Sequence, residues 1–152
     1  MNLFYKIITK LIKMPVNQFH PLVYIGGKPE FGKNVYVGLF SEVNARKSVV
    51  KIGDNCDIAS FVSINVADSH KKTIGLAKEI ERKEIIIEND VFIGSHSFIG
   101  GGVHIGHHTV VAAGTIITKP CEIPPYSLVI GNPPVIKEGY YKNLKCKYQN
   151  EK

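Results

Sequence analysis

An aliphatic or aromatic residue recurs at six-residue spacing fifteen times between Ile25 and Pro134. The leading positions are Ile25, Phe31, Val37 and Val43, then, after a slip of three residues, Ile52, Ile58 and Ile64. After an interruption they resume as Ile87, Ile93, Ile99, Ile105, Val111, Ile117, Ile123 and Val129. Gly or another small or polar residue often follows the leader. The fifth position carries Val35, Ser41, Cys56, Val62, Val91, Ser97, Val103, Thr109, Thr115, Cys121 and Ser127, with Lys47 and Asp68 as exceptions beside the slip and the interruption. Six is a multiple of the strand period of two, but the pattern is neither the uniform alternation of a sheet strand nor the 3.6 period of a helix. Each unit must therefore contain a corner. Short strands joined by corners, three to a coil, stack as a triangular β-solenoid with the leading residues filling the prism and the backbone pairing along its axis. Fifteen units predict about five coils, on the order of 24 Å long at roughly 4.8 Å per stacked strand. A prism packed in this way leaves no interior space for a ligand. Function is expected on the outside, where the repeat breaks or where subunits meet.

The 152 residues suit a single all-β domain. The expected division is an N-terminal cap over residues 1–20, a solenoid over 21–136 with an extruded loop at 65–84, and a tail over 137–152. The formal net charge of +6 suggests nucleic acid until it is mapped. Residues 1–33 hold five Lys against Glu30, and residues 137–152 hold five Lys against Glu138 and Glu151, which leaves nine basic and ten acidic side chains between them. The repeats are close to neutral, so a basic stripe that could follow a phosphate backbone is absent and no nucleic-acid partner is expected. The basic ends could still help to hold a small polyphosphate. Cys56, Cys121 and Cys146 lack metal-ligand spacing, and the first two occupy the inward small position of a unit, which reads as core filler in a reducing cytoplasm. No stretch approaches a membrane-spanning length, and no cleavable secretion signal is read at the N-terminus.

Leu3, Phe4, Ile7, Ile8, Leu11 and Ile12 fall at helical spacing among Lys6, Lys10 and Lys13, and Pro15 stops the pattern. A short amphipathic helix of this kind caps the first coil, as a solenoid edge requires. The same face would also suit weak membrane-surface association through residues 1–14. At the other end Tyr140, Tyr141 and Tyr148 among lysines suggest an exposed, partly ordered tail.

From Ile64 to Ile87 is 23 residues, not a whole number of units, and the segment between is polar and charged. A loop leaves the scaffold there, and it opens with N-V-A-D-S-H, so His70 sits just off a rigid strand. An imidazole titrates near neutral pH and can take a proton from a hydroxyl or amine nucleophile; an ordinary surface histidine is the alternative. Asp68, two residues before it, could orient the ring or stabilise its protonated form. His104, His107 and His108 fall at expected corner positions with no carboxylate or thiol beside them, so no metal site is expected. Gly100 to Gly102 reads as a tight corner rather than a phosphate loop, because no strand-to-helix transition and no G-K-S or G-K-T follows.

The repeat with its extruded histidine loop is followed by V-F-I-G-S-H at Val91 to His96, A-A-G-T-I-I-T-K at Ala112 to Lys119, and I-P-P-Y-S-L-V-I-G-N-P at Ile123 to Pro133. Together these resemble the hexapeptide-repeat acetyltransferases, above all the small sugar O-acetyltransferases of the maltose, galactoside and surface-polysaccharide kind. The resemblance covers roughly residues 30 to 137. It implies a left-handed parallel β-helix, a homotrimer with active sites between neighbouring prisms, and acetyl-CoA as donor. It also implies that His70 is the catalytic base toward a sugar or nucleotide-sugar acceptor, in surface-polysaccharide (LPS or capsule) biosynthesis. Phe92 matches the aromatic of the family's V-W-I-G element near the acetyl and pantetheine region, with Phe in place of Trp. The backbone around Ser95 and Ala113 matches positions that bond the pantetheine arm, and Thr118 and Lys119 match the nucleotide end of CoA. Asn44 matches an acceptor-contacting asparagine, and His96 falls where it could line the cleft. Two other readings stay open: an N-acetyltransferase of a nucleotide-linked amino sugar, and a non-catalytic β-helix that binds or scaffolds.

Overall fold

The structure is a computed structural model that describes residues 17–143 together with Leu3, Ile7, Lys10 and Leu11. The first coil contains β1 (Tyr24–Gly26), β2 (Glu30–Phe31) and β3 (Tyr36–Val37), and the second β4 (Glu42–Asn44), β5 (Val50–Ile52) and β6 (Asp57–Ile58). The third begins with β7 (Ser63–Asn65), throws out a loop holding β8 (Ala67–Asp68), a short helix α1 (His70–Thr73) and β9 (Glu81–Arg82), and resumes as β10 (Ile85–Ile87) and β11 (Phe92–Ile93). The fourth contains β12 (Phe98–Gly100), β13 (Val103–Ile105) and β14 (Val110–Val111), and the fifth β15 (Ile116–Ile117), β16 (Cys121–Ile123) and β17 (Leu128–Ile130). The coils stack in parallel into three faces: β1-β4-β7-β12-β15 (face A), β2-β5-β10-β13-β16 (face B) and β3-β6-β11-β14-β17 (face C). The fold is the five-coil parallel solenoid that the period predicts.

The leading residues fill the prism. Ile58, Ile64, Ile93, Ile99 and Ile105 are fully buried, and each such side chain contributes roughly 1.5–3 kcal/mol through removal from water. The inward fifth position is often Ser or Thr for a polar reason: corner carbonyls point partly inward and need donors. Ser41 Oγ donates to Ala59 O (2.9 Å), Ser97 Oγ to Ala112 O (3.1 Å) and Ser127 Oγ to Pro124 O (2.6 Å), so these buried hydroxyls are satisfied. Where the pattern places Lys47 and Asp68 at this position, the chain instead turns Val50 and Ile85 inward, both fully buried. The slip and the interruption are insertions at one corner of successive coils, between faces A and B, as the pairing of Asn44 with Asn65 places them. The residue after the leader is Gly where coils come closest. A Cβ on Gly94 would lie 2.4 Å from Ala113 N and 2.8 Å from Ala113 Cα, closer than backbone tolerates.

At the lower end Phe19 packs edge-on against Phe31 (centroids 4.9 Å apart) and Asn17 Nδ2 donates to Val23 O (2.8 Å), so residues 17–23 cover the first coil. Leu3, Ile7, Lys10 and Leu11 are helical, with the three apolar ones exposed; the rest of the expected N-terminal helix, and the choice between cap and membrane contact, lie outside the described residues. At the upper end β18 (Val135–Lys137) turns back antiparallel onto β17, and Tyr141 N–H donates to Tyr126 O (2.9 Å). The tail as far as residue 143 therefore folds back onto the last coil, with Tyr140 exposed. Tyr148 and Cys146 lie outside the described residues. Among the described residues no helix is long and apolar enough to cross a membrane.

Candidate active site

The loop of the third coil is ordered by short-range bonds. Strands β8 and β9 pair antiparallel, Ala67 opposite Arg82 and Asp68 opposite Glu81. Lys71 Nζ on α1 reaches Glu81 Oε2 (3.0 Å), and Lys83 Nζ reaches Glu81 Oε1 (2.8 Å); these two lysines hold the Glu81 carboxyl below its usual range, Lys83 more strongly. Asp68 Oδ1 accepts the His70 backbone N–H (3.1 Å), which closes a side-chain turn at the start of α1. The same oxygen lies 2.5 Å from His70 Nδ1. Hydrogen bonds from the His70 ring and backbone hold the Asp68 carboxyl below its ordinary value, so it is a carboxylate at neutral pH. With Nδ1–H donated to that carboxylate, Nε2 is the basic nitrogen of the neutral ring.

This pair borders a cleft of about 740 Å3 under the loop, at the A–B corner of the third to fifth coils, a volume in the range of small-molecule sites. Its walls include His70, Asp68, Asn65, Phe98, Thr118 and Lys119. Four of the residues singled out in the sequence, His70, Asp68, Thr118 and Lys119, thus meet in one place. With Lys71 and Lys83 also on the wall, cations exceed carboxylates, which suits phosphate oxygens.

The other sequence-derived residues lie elsewhere on the protomer. Phe92 is on the outer surface of face C and 40% exposed. Ser95 and Ala113 are at the C–A corner of adjacent coils, linked by the Gly114 N–H bond to Ser95 O (2.8 Å). His96 is at the same corner, stacked on Phe61 with centroids 4.8 Å apart. Asn44 is on the outer surface of face A one coil below the cleft, its Oδ1 accepting the Arg46 N–H (3.2 Å). The asparagine that does border the cleft is Asn65, register partner of Asn44, and it follows leader Ile64 as Asn44 follows Val43. The repeat carried that signal: stacking Asn44 up one coil lands on Asn65. Phe98 and Lys83 had no such signal, since an aromatic just before a leading residue and a lysine ending a loop are ordinary in sequence.

The expectation that the C-terminal histidines lack carboxylates is incorrect, because side chains one coil apart in sequence by sixteen to eighteen residues are neighbours in space. His104 is on β13, not at a corner, and bridges Glu88 Oε1 (2.9 Å from Nε2) and Glu122 Oε1 (3.2 Å from Nδ1). His108 Nδ1 is 3.9 Å from Asp90 Oδ2 at the B–C corner. Burial would depress His104, but its bonds to Glu88 and Glu122 outweigh that and raise its pKa. Among the described residues no group of three His, Cys, Asp or Glu is arranged to hold a metal ion. Cys56 is buried and Cys121 partly so, and burial pushes both thiols up, away from nucleophilic thiolate chemistry.

Comparison with known proteins places this geometry in a family. Residues 84–119 match the hexapeptide repeat of succinyl-transferase. The chain is 38% identical over 130 residues to galactoside O-acetyltransferase of Escherichia coli K12, covering 76% of this chain. It superposes on a galactoside acetyltransferase in complex with coenzyme A at TM-score 0.70 and 31% identity, covering 91% of this chain and 68% of that one. The chain belongs to the hexapeptide-repeat acetyltransferases. Its prism is accordingly the left-handed parallel β-helix that the resemblance implied. The polySia-specific acetyltransferase NeuO aligns at TM-score 0.65 and 26% identity over 84% of this chain and 66% of that one. The chain spans 63% of the length of the E. coli relative.

Proposed function

We propose that this protein transfers an acetyl group from acetyl-CoA to a sugar hydroxyl, with His70 as general base. The observation that carries the reading is the His70–Asp68 pair on the wall of a cationic cleft. His70 Nε2 takes the hydroxyl proton as the sugar oxygen attacks the thioester carbonyl, and the Asp68 carboxylate stabilises the resulting imidazolium. The CoA thiolate leaves and recovers a proton that His70 can return. Raised thiol pKa values at Cys56 and Cys121 speak against an acetyl-cysteine intermediate and for direct transfer. Acetyl-CoA supplies the activated acyl group, and the residues present fit it: Lys119 and Thr118 toward its phosphates, Ser95 and Ala113 toward amides of the pantetheine arm, and Phe92 as an apolar wall.

Thr118 and Lys119 lie at one corner beside face A, and Ser95 and Ala113 at the other with Phe92 next to it on face C, and for that reason we assign the assembled site to a homotrimer. Threefold packing of a triangular prism brings one protomer's C–A corner beside the next protomer's A–B corner. The loop tip Ile74-Gly75-Leu76, with Ile74 65% and Leu76 76% exposed, supplies apolar surface for that contact. Asn44 and His96 border the acceptor side. Surface polysaccharide is the acceptor class that the family likeness favours. Incubation with acetyl-CoA and a panel of sugars and nucleotide sugars, following release of free CoA thiol, tests the reading. Thiol release that depends on a hydroxyl sugar supports it; release only with an amino sugar, or none with any acceptor, overturns it.

A further inference from the structure

The B–C and C–A corners of the prism, from which no loop is thrown out, share one backbone geometry and differ in the residues that adopt it in the first three coils. At each corner one residue per coil takes the left-handed conformation, which Asn and Asp accept and bulky side chains resist. The B–C corner uses Asn34, Asn55, Asp90 and His108 (φ between 54° and 58°) and, in the last coil, Tyr126 (φ 61°), and its first three are joined in a ladder, Asn34 Nδ2 to Asn55 Oδ1 (3.2 Å) and Asn55 Nδ2 to Asp90 Oδ1 (3.1 Å). The C–A corner of the first three coils instead places Phe40 (φ 60°), Phe61 (φ 61°) and His96 (φ 61°) there, with Gly114 (φ 71°) in the coil above. The two phenylalanines are strained by their backbone and also 55% and 48% exposed. Their rings stack along the axis with centroids 5.1 and 4.8 Å apart, a continuous aromatic column on the order of 10 Å long.

The column is one wall of a groove of about 540 Å3 that also presents Tyr24, Glu42 and Ser63. Glu42 Oε1 accepts from Ser63 Oγ (2.8 Å) and Asn65 Nδ2 (3.3 Å), so the carboxylate is held in place by neighbours on face A. An apolar wall facing a fixed hydrogen-bond acceptor is the chemistry a sugar ring requires, because its C–H surface packs on aromatic carbon while its rim hydroxyls donate. The top of the column, His96, adjoins Ser95, the residue assigned above to the donor arm. One pyranose ring would occupy about half of a 10 Å wall.

We infer that the Phe40–Phe61–His96 column is an acceptor subsite for sugar rings beyond the one that is acetylated, so that the preferred acceptor is an oligosaccharide or longer glycan rather than a free monosaccharide. This rests on the acetyl-transfer reading for the reaction but not for the binding. Kinetics with mono-, di- and trisaccharides of the best panel sugar are the test. The KM for acceptor should fall about 5- to 10-fold from one ring to three. In Phe61→Asn and Phe40→Asn, which suit the left-handed backbone and so should fold, the trisaccharide KM should rise several-fold more than the monosaccharide KM. Equal effects on short and long acceptors, or no gain from added rings, overturn the inference, as does dissociation of the oligomer in these variants, which would make the column a subunit contact. Saturation-transfer NMR with maltose- and galactose-type trisaccharides, without acetyl-CoA, separates the two readings. Protein-to-sugar transfer that Phe61→Asn abolishes upholds the groove even if no sugar is acetylated, and its absence for every trisaccharide rejects the groove even if acetylation is observed.

Discussion

Replacement of Asp68 by Asn, set beside His70→Ala, probes the proposed mechanism most directly, because the geometry sets different magnitudes for the two. Removing a general base lowers turnover by about 10² to 10⁴, so His70→Ala should lose that much in kcat while binding acetyl-CoA nearly as well. Asp68 acts only through the imidazolium that His70 becomes. Two unit charges about 4 Å apart interact by about 1 kcal/mol in water and about 4 kcal/mol at an effective dielectric near 20. The His70 and Asp68 side chains are 60% and 53% exposed, and exposed pairs measure at about 0.2–1 kcal/mol. The watery limit therefore applies, and Asp68→Asn should slow turnover about fivefold, far short of the roughly 10⁴ lost from a buried Asp-His pair. Since Asp68 works through His70, adding Asp68→Asn to His70→Ala should cost less than about twofold more. The assay is thiol release at saturating acetyl-CoA across the four proteins of the cycle. Unchanged turnover in His70→Ala would refute the base assignment. A loss near 10³ in Asp68→Asn would refute the solvent-screened magnitude, and additive losses would refute action through His70.

Lys119→Glu should weaken CoA binding measured by calorimetry, and by more at low salt, because a phosphate contact at an exposed lysine is screened as ionic strength rises. Gly94→Ala should destabilise the fold by about 1–3 kcal/mol in thermal unfolding, since its Cβ would press into the Ala113 backbone, with no flexible side chain to give way. The Glu88–His104–Glu122 bridge should make stability depend on pH. Its His104 contribution, from a pKa raised above 6.5 despite burial, is complete below that value and fades as pH rises through the raised one; the Glu88 contribution, from a pKa lowered below 4.5 because the His107 N–H and His104 outweigh burial, is lost as pH falls through it. The melting-temperature advantage over His104→Gln should therefore be largest between about pH 4.5 and 6.5, and an advantage that grows toward pH 8 would contradict the bridge.

Much of this was legible because a solenoid converts sequence period into spatial neighbourhood. Ile93 lies between Ile58 and Val111 on face C because each leads a unit at the same place in successive coils, and six-residue spacing contains that information. The loop histidine was legible for the complementary reason: His70 stands where the period fails, and only a chain segment outside the stack can present a side chain over a face. What escaped notice depends on distances across coils of unequal length. Glu88 precedes His104 by sixteen residues, one coil minus two, so a search for carboxylates near in sequence misses it. The aromatic column was hidden differently. Phe40, Phe61 and His96 are separated by 21 and then 35 residues, because the slip lengthens one coil and the loop the next, and no fixed period connects them. Their common feature is the left-handed backbone at one corner, a property of the folded coil that residue type argues against for phenylalanine. A strained, exposed aromatic repeated at that corner across two coils is difficult to account for by stability alone, since in the same coils Asn34, Asn55 and Asp90 meet the same backbone demand at the B–C corner with residues suited to it. The difference between the corners is therefore best attributed to what each one touches.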